Sequence, residues 1–283
     1  MKCKKIKRTT KVKVKEKPVQ EEKGKEEILS IIKEDKFVFA ADMMGKTEQD
    51  LKNDTYKSYI RTFMNNIGKS FKSNSASLAK IESAISTVKK FNGAGVVLSP
   101  ICFDVIKRIK NKVESSNVSV LTLAGAPCGL STIGGLKKDI SVAIRRGANG
   151  IVAVLPTASI ELSNLVAVKK EFVSLARKYK NYPFGIAINP DFPTERIKTF
   201  IEETKNSKIT CITLLADELD VVELGNYVTK LANVKGDKKL AVTCSLDTFD
   251  EISYILKRGA DKVYTAHFES LCEELIQKFG VQM

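Results

Sequence analysis

The sequence has no tryptophan and a single histidine, His267. None of its six cysteines, Cys3, Cys102, Cys128, Cys211, Cys244 and Cys272, forms a Cys-x-x-Cys pair. A zinc finger or Cys/His cluster needs closer ligand spacing, so that class is excluded. No window of about 18 consecutive apolar residues occurs, and none therefore reads as a transmembrane helix. The opening stretch MKCKKIKRTTKVKVKEKP is basic but lacks an apolar centre, so it does not read as a secretory signal.

What is present is a chain of 283 residues that is 43% hydrophobic, too apolar to be disordered throughout. That length suits one large domain or two small ones. The net charge of +14 is unevenly spread, since residues 1–18 alone carry +8. Residues 1–27 read as a basic, disordered arm, and residues 28–283 as the folded domain. Most of the cysteines sit in or beside apolar runs, where a free thiol behaves as a small hydrophobe. This usage implies a reducing, cytoplasmic setting without a disulfide framework.

Past the arm, short β-branched apolar runs alternate with amphipathic stretches. The runs are 37–44, 94–100, 118–125, 150–156, 184–190, 208–215, 239–245 and 262–268. They are almost continuously apolar, as expected of parallel strands covered on their outer face. Helical patterns lie between them, notably 136–149 and 249–261, each ending in Arg-Gly-Ala, with others at 223–232 and 269–279. Thr194 before Glu195 reads as the capped start of another. Eight such units predict an α/β fold, a (β/α)8 TIM barrel. A doubly wound sheet would show a Gly-rich turn after its first strand. Gly45-Lys46-Thr47 resembles the end of a P-loop, but Ala40 stands where that motif needs glycine.

The stretch VLTLAGAPCGLSTIGGLKKDISVAIRRGANGIVAVLP resembles the strand-three signature of the deoxyribose-phosphate aldolase family. The turn is Gly125-Ala126-Pro127-Cys128-Gly129, and the helix ends in Gly147-Ala148-Asn149. FGIAINPDFPTERI is similar to the family's fifth strand and following helix, and Gly259-Ala260-Asp261 precedes the last strand as it does there. The resemblance spans roughly residues 37–275 and marks a divergent member. It implies a class I aldolase barrel, a carbon–carbon lyase acting on a sugar phosphate through a lysine imine, with no cofactor. The imine lysine of that family falls on Cys211, its second lysine is absent from strand seven or falls on Gly185, and its strand-four aspartate falls on Val152. Its Gly-Gly phosphate turn has become Cys244-Ser245.

Imine catalysis needs an amine deprotonated near neutral pH, and proton shuttling needs a carboxylate or its equivalent. Val152, Gly185 and Cys211 supply neither. The expectation is a pseudoenzyme with a binding or interaction role. The alternative is an active aldolase or lyase whose lysine has moved, with Lys46 the candidate amine and Asp42 and His267 the candidate proton carriers. Ser245, Thr265 and Ala266 are the candidate ligand contacts. Cys128 and Cys211 could act as nucleophiles only with local positive charge. Asp42, Asp191, Asp217 and Glu218 could gather round a divalent cation, though rim carboxylates are common and no metal is expected. The Lys-rich arm, residues 1–25, suits a polyanion such as RNA or an acidic protein. By analogy with other such barrels, a homo-oligomer is expected.

Overall fold

In the computed structural model of the chain, eight parallel strands close into a barrel in sequential order. The structure describes residues 60–71, 76–109, 111, 113, 116–126, 129, 132–156 and 165–279. The strands are β1 (Ile67–Ser70), β2 (Val96–Leu98), β3 (Val120–Ala124), β4 (Gly150–Val154), β5 (Phe184–Ile188), β6 (Ile209–Leu215), β7 (Lys239–Cys244) and β8 (Lys262–Thr265). After them come α1 (Leu78–Lys90), α2 (Phe103–Ile106), α3 (Ile133–Arg145), α4 (Leu165–Lys178), α5 (Thr194–Glu203), α6 (Val221–Val234), α7 (Phe249–Lys257) and α8 (Phe268–Phe279). The (β/α)8 expectation therefore holds, with one correction. The first strand is Ile67–Ser70 and not 37–44, which lies outside the described residues together with the boundary drawn at residue 27. The four residues IGKS carry no apolar run to betray them. Pairing on both sides decides the matter: Gly68 faces Tyr264 of β8 and Ser70 faces Val97 of β2.

Strand residues alternate between helices and lumen, so the outward set, including Ile151, Ala153, Phe184 and Ile186, is fully covered. Against it pack helical stripes at 3–4-residue spacing, such as Leu136, Ile140 and Ala143 of α3, and Ile197, Phe200 and Ile201 of α5. Each large aliphatic or aromatic side chain buried this way contributes about 1.5–3 kcal/mol.

The two Arg-Gly-Ala endings are the same device. Gly147 and Gly259 take φ of +115° and +111°, a region glycine enters at little cost. Gly147 N–H then donates to Ile144 O and Ala148 N–H to Ala143 O, and Gly259 and Ala260 repeat this with Leu256 and Ile255. The next residue turns back on the preceding strand. Asn149 donates its N–H to Val120 O and accepts Val120 N–H on Oδ1 at 2.7 Å. Asp261 does the same to Leu240 and also takes Nζ donors from Lys235 and Lys239.

Helix starts are capped by Thr132, by Asp220 and by a Thr248–Glu251 capping box. α5 corrects the expectation for Thr194, which is its first helical residue. The cap is Pro193, whose side chain accepts nothing.

β1 closes the barrel against β8. Lys69 points outward there; its Nζ donates to Ala266 O at 2.7 Å, pairs with Glu269 of α8, and lies 5.5 Å from the Phe71 ring centre.

Candidate functional site

The register brings the three positions singled out by the family comparison into one row. Val152 of β4 sits beside Gly185 of β5, and Gly185 beside Cys211 of β6. A register shift between β5 and β6 falls at this row, so Thr210 is passed over and Cys211 takes the inner position. All three share the face that carries Leu123, Ala187 and Thr213. Cys211 has a neighbour in place of space: a Cβ on Gly185 would lie 3.2 Å from Cys211 Cβ.

That face is filled. Val152, Val154 and Ala187 pack with Leu121, Leu123 and Leu215. Val97, Ala241 and Tyr264 form a second cluster with Leu121, Leu123 and Cys211. The Tyr264 ring occupies the volume that Gly68 leaves, since a Cβ there would fall 2.4 Å from Tyr264 Cδ1. Burial pushes the Tyr264 phenol far up, helped by Cys211, and burial likewise pushes the Cys211 thiol up. A thiol in that state is a poor nucleophile near neutral pH. Among the described strand residues, lysines share this face only at Lys239 and Lys262, the opening residues of β7 and β8. In a (β/α)8 barrel that is the end opposite the mouth.

At the mouth the candidate contacts are tied into the frame. Thr265 is fully buried; its hydroxyl donates to Leu246 O and accepts His267 N–H at 3.0 Å. Ser245 Oγ donates to Asp217 O at 2.8 Å. Ala266 uses its N–H on Cys244 O and its carbonyl on Lys69. His267 is exposed on the rim. Lys46, Asp42 and Cys128 lie outside the described residues, and positions 42 and 46 precede the first barrel strand, Ile67–Ser70, in the chain rather than follow it.

The rim is electrically lopsided. Helices α1, α3 and α4 have no acid in the first turn and α2 has only Asp104, paired with Arg146, whereas α5 to α8 carry Glu195, Glu223, Asp250, Glu251 and Glu269 there. The loops of that second half add Asp191, Asp217, Glu218, Asp220 and Asp247. These acids complement helix N-termini. Together they also set a negative field around the loops after β5 to β8, which disfavours an anionic ligand. They do not converge: among the described residues no three His, Cys, Asp or Glu side chains could hold one metal ion, so Asp191, Asp217 and Glu218 form no such site.

One feature escaped the sequence reading. A pocket of about 470 Å³ runs along α3, from the loop after β2 and the Gly125 turn to Arg146 at the helix's C-terminal end. Ser99, Gly125, Lys138, Asp139, Val142 and Arg146 line it, and Arg146 pairs with Asp104 across it. Positions 138, 142 and 146 recur every four residues on one helix face, which is the signal the sequence offered.

The glycine turn next to this pocket has the backbone its sequence requires. Gly125 and Gly129 take φ of +81° and +68°, and Gly129 N–H donates to Gly125 O. A Cβ on Gly129 would lie 2.5 Å from Leu155 O.

No protein-family model matches the chain. A curated deoxyribose-phosphate aldolase from Thermoanaerobacter pseudethanolicus is 27% identical over 107 residues, 38% of this chain. The match spans 47% of that relative's length. A solved structure of an aldolase, QR15, superposes with a TM-score of 0.65 at 18% identity, covering 76% of this chain and 96% of its own. A tetrameric deoxyribose phosphate aldolase from Aeropyrum pernix gives 0.65 at 14% identity, covering 83% and 100%. In fold around the whole barrel, and in sequence over part of it, the chain is similar to the deoxyribose-phosphate aldolases, class I aldolase TIM barrels, at the low identity of a divergent relative.

Proposed function

We propose that this chain is a deoxyribose-phosphate-aldolase-like barrel that works as a binding or interaction protein without forming an imine. The reading is carried by the packed row Val152, Gly185 and Cys211, which stands where the resembling family has its reactive side chains. An imine-forming lysine must reach a ligand from the inner face near the mouth and be surrounded by groups that lower its pKa. The described lysines nearest that role are Lys69, held outward by Glu269 and Ala266 O, and Lys262, at the far end of β8. The acidic second half of the rim adds to this, because a sugar phosphate bound there would face like charge.

The proposal includes a reducing, cytoplasmic setting, in keeping with free thiols at Cys102, Cys211, Cys244 and Cys272. It includes a homo-oligomer, since the Aeropyrum pernix relative is tetrameric. It also assigns residues 1–25 to contact with a polyanion, on the strength of their charge.

Borohydride reduction in the presence of aldehyde and ketone sugar phosphates tests the central claim. The expected result is an unmodified protein by intact mass. A stable adduct mapped to any barrel lysine overturns it, and an adduct at Lys46 in particular would establish the relocated-lysine aldolase instead.

A further inference from the structure

We infer that the barrel face opposite the mouth, along the ends of α1, α3 and α4, binds the phosphate backbone of a nucleic acid. This surface is distinct from the lumen and from the arm.

The charge that remains after the arm is removed is not spread around the barrel. Residues 78–180 carry 16 Lys and Arg against 6 Asp and Glu, while residues 181–279 carry 12 against 16. Each helix runs back along its strand, so its last turn lands at the face where the strands begin. The first half of the barrel therefore delivers Lys89 and Lys90 from α1, Arg145 from α3, and Arg177 and Lys178 from α4, with Lys180 just beyond. All six are exposed. Three carboxylates of these helices and their neighbours are paired with other cations: Asp104 with Arg146, Glu171 with Lys137 and Glu203 with Lys169. None of the ion pairs among the described residues involves any of the six.

Helix dipoles alone do not account for this arc. A cation in the last turn complements the dipole. Yet α5 ends on Glu202 and Glu203, and α6 has no base in its last turn, and both helices are complete. Two of the four ammonium groups also lie beside rings. Lys90 Nζ lies 5.6 Å from the Phe91 centroid, and Lys178 Nζ lies 5.3 Å from that of Tyr179, whose hydroxyl donates to Lys137 O. Packed neighbours stand about 8–10 Å apart, and α2 lies between α1 and α3, so the arc extends over roughly 25–30 Å. Cations spread over that length can contact phosphates at intervals along a backbone, which gives sequence-independent binding.

The alternative polyanion is a lipid surface, and that usually needs apolar anchors beside the charge. Among the described residues the exposed large apolar side chains are Ile101, Val166 and Ile276. Only Ile276, on α8, belongs to this end of the barrel. The segment Arg177-Lys178-Tyr179-Lys180-Asn181-Tyr182 instead groups three cations with no aliphatic anchor, which suits a phosphate backbone.

The test uses the full chain and labelled RNA and DNA duplexes of about 20 base pairs and arbitrary sequence, by fluorescence anisotropy over a salt series. One variant joins Lys89→Gln, Arg145→Gln and Lys178→Gln. A charge-matched control joins Arg196→Gln, Lys198→Gln and Lys230→Gln. The first should weaken binding about tenfold in about 100 mM salt and flatten the slope of log affinity against log salt by about 2 to 3. The control should leave both unchanged, and thermal melts should show both variants folded. Equal effects of the two triples overturn the inference, because binding then follows bulk charge. So does loss of all binding on deletion of residues 1–25 with no effect of the first triple. Loss of binding to phosphatidylserine vesicles in the first triple, with duplex binding intact, overturns it in favour of a membrane.

Discussion

Restoring the carboxylate that the resembling family carries on strand four, by Val152→Asp, separates a filled lumen from a solvated active site. Val152 is 5% exposed and contacts Val154 and Ala187, with Leu121, Leu123 and Leu215 around them. An aspartate there gains no cation from those neighbours. Desolvation then raises its folded-state pKa above the ordinary value near 3.9. If the group must take up a proton to stay buried, the cost at pH 7 is about 4 kcal/mol, falling to about 1.5 kcal/mol at pH 5. Loss of the valine's apolar contacts adds about 1 to 2 kcal/mol at either pH. The direction follows from linkage. Between pH 3.9 and the raised value, the native state holds the proton that the unfolded state releases, so rising pH destabilises the variant. Urea unfolding at pH 5, 6 and 7 reads this directly: the penalty should grow by about 2.5 kcal/mol across the range. Val152→Asn, similar in shape but unable to titrate, should show a penalty independent of pH. A small, pH-independent penalty for Val152→Asp would mean an ionised, hydrated carboxylate, and would refute the filled lumen and the function proposed from it.

Asp261→Asn keeps an acceptor for Leu240 N–H, as Asn149 does for Val120, but loses the charge that Lys235 and Lys239 meet. Burial opposes ionisation of Asp261, yet the Lys235, Leu240 and Lys239 donors outweigh it and hold the carboxyl below its usual range. The variant should be about 1–2 kcal/mol less stable at pH 7. Because a depressed carboxylate stabilises above its unfolded pKa, the gap should close as pH falls through the folded value. A gap that stays constant down to about pH 2 would contradict this. Gly129→Ala should cost about 2 kcal/mol or more in thermal unfolding, from its left-handed backbone and the approach of Leu155 O. Gly134→Ala, in α3 with only Thr132 Oγ1 at 3.9 Å, should be neutral or stabilising, and equal effects at the two sites would refute the backbone argument.

The sequence revealed seven of the eight strands because each is an apolar run bounded by turn residues. β1 stayed hidden for the converse reason. It is four residues long, contains a lysine, and is a strand only because β8 and β2 flank it. The apolar run at 37–44 is the stronger strand signal of the two, and the candidates Asp42 and Lys46 rest on it. The row formed by Val152, Gly185 and Cys211 was legible as separate positions. Its alignment was not, since it depends on a register shift at Thr210 that no periodicity shows. The pocket beside α3 was missed because its walls come from three separate segments, and only one of them has a repeating pattern. The basic arc likewise becomes a surface only when the barrel brings together helix ends far apart in the chain.

The seam between β1 and β8 has a kinetic meaning. Every other strand pair joins neighbours in sequence, so each can form within a local β-α-β unit. This one joins Ile67 to Val263, and Lys69 reaches Ala266 and Glu269 across nearly 200 residues. Its loop-closure entropy is the largest in the molecule, so the seam should zip last and open first. The ammonium of Lys69, part-buried at this seam and bonded to Ala266 O, is then a latch across the pair expected to close last. Removing it should show in the refolding rate before it shows in anything the barrel binds.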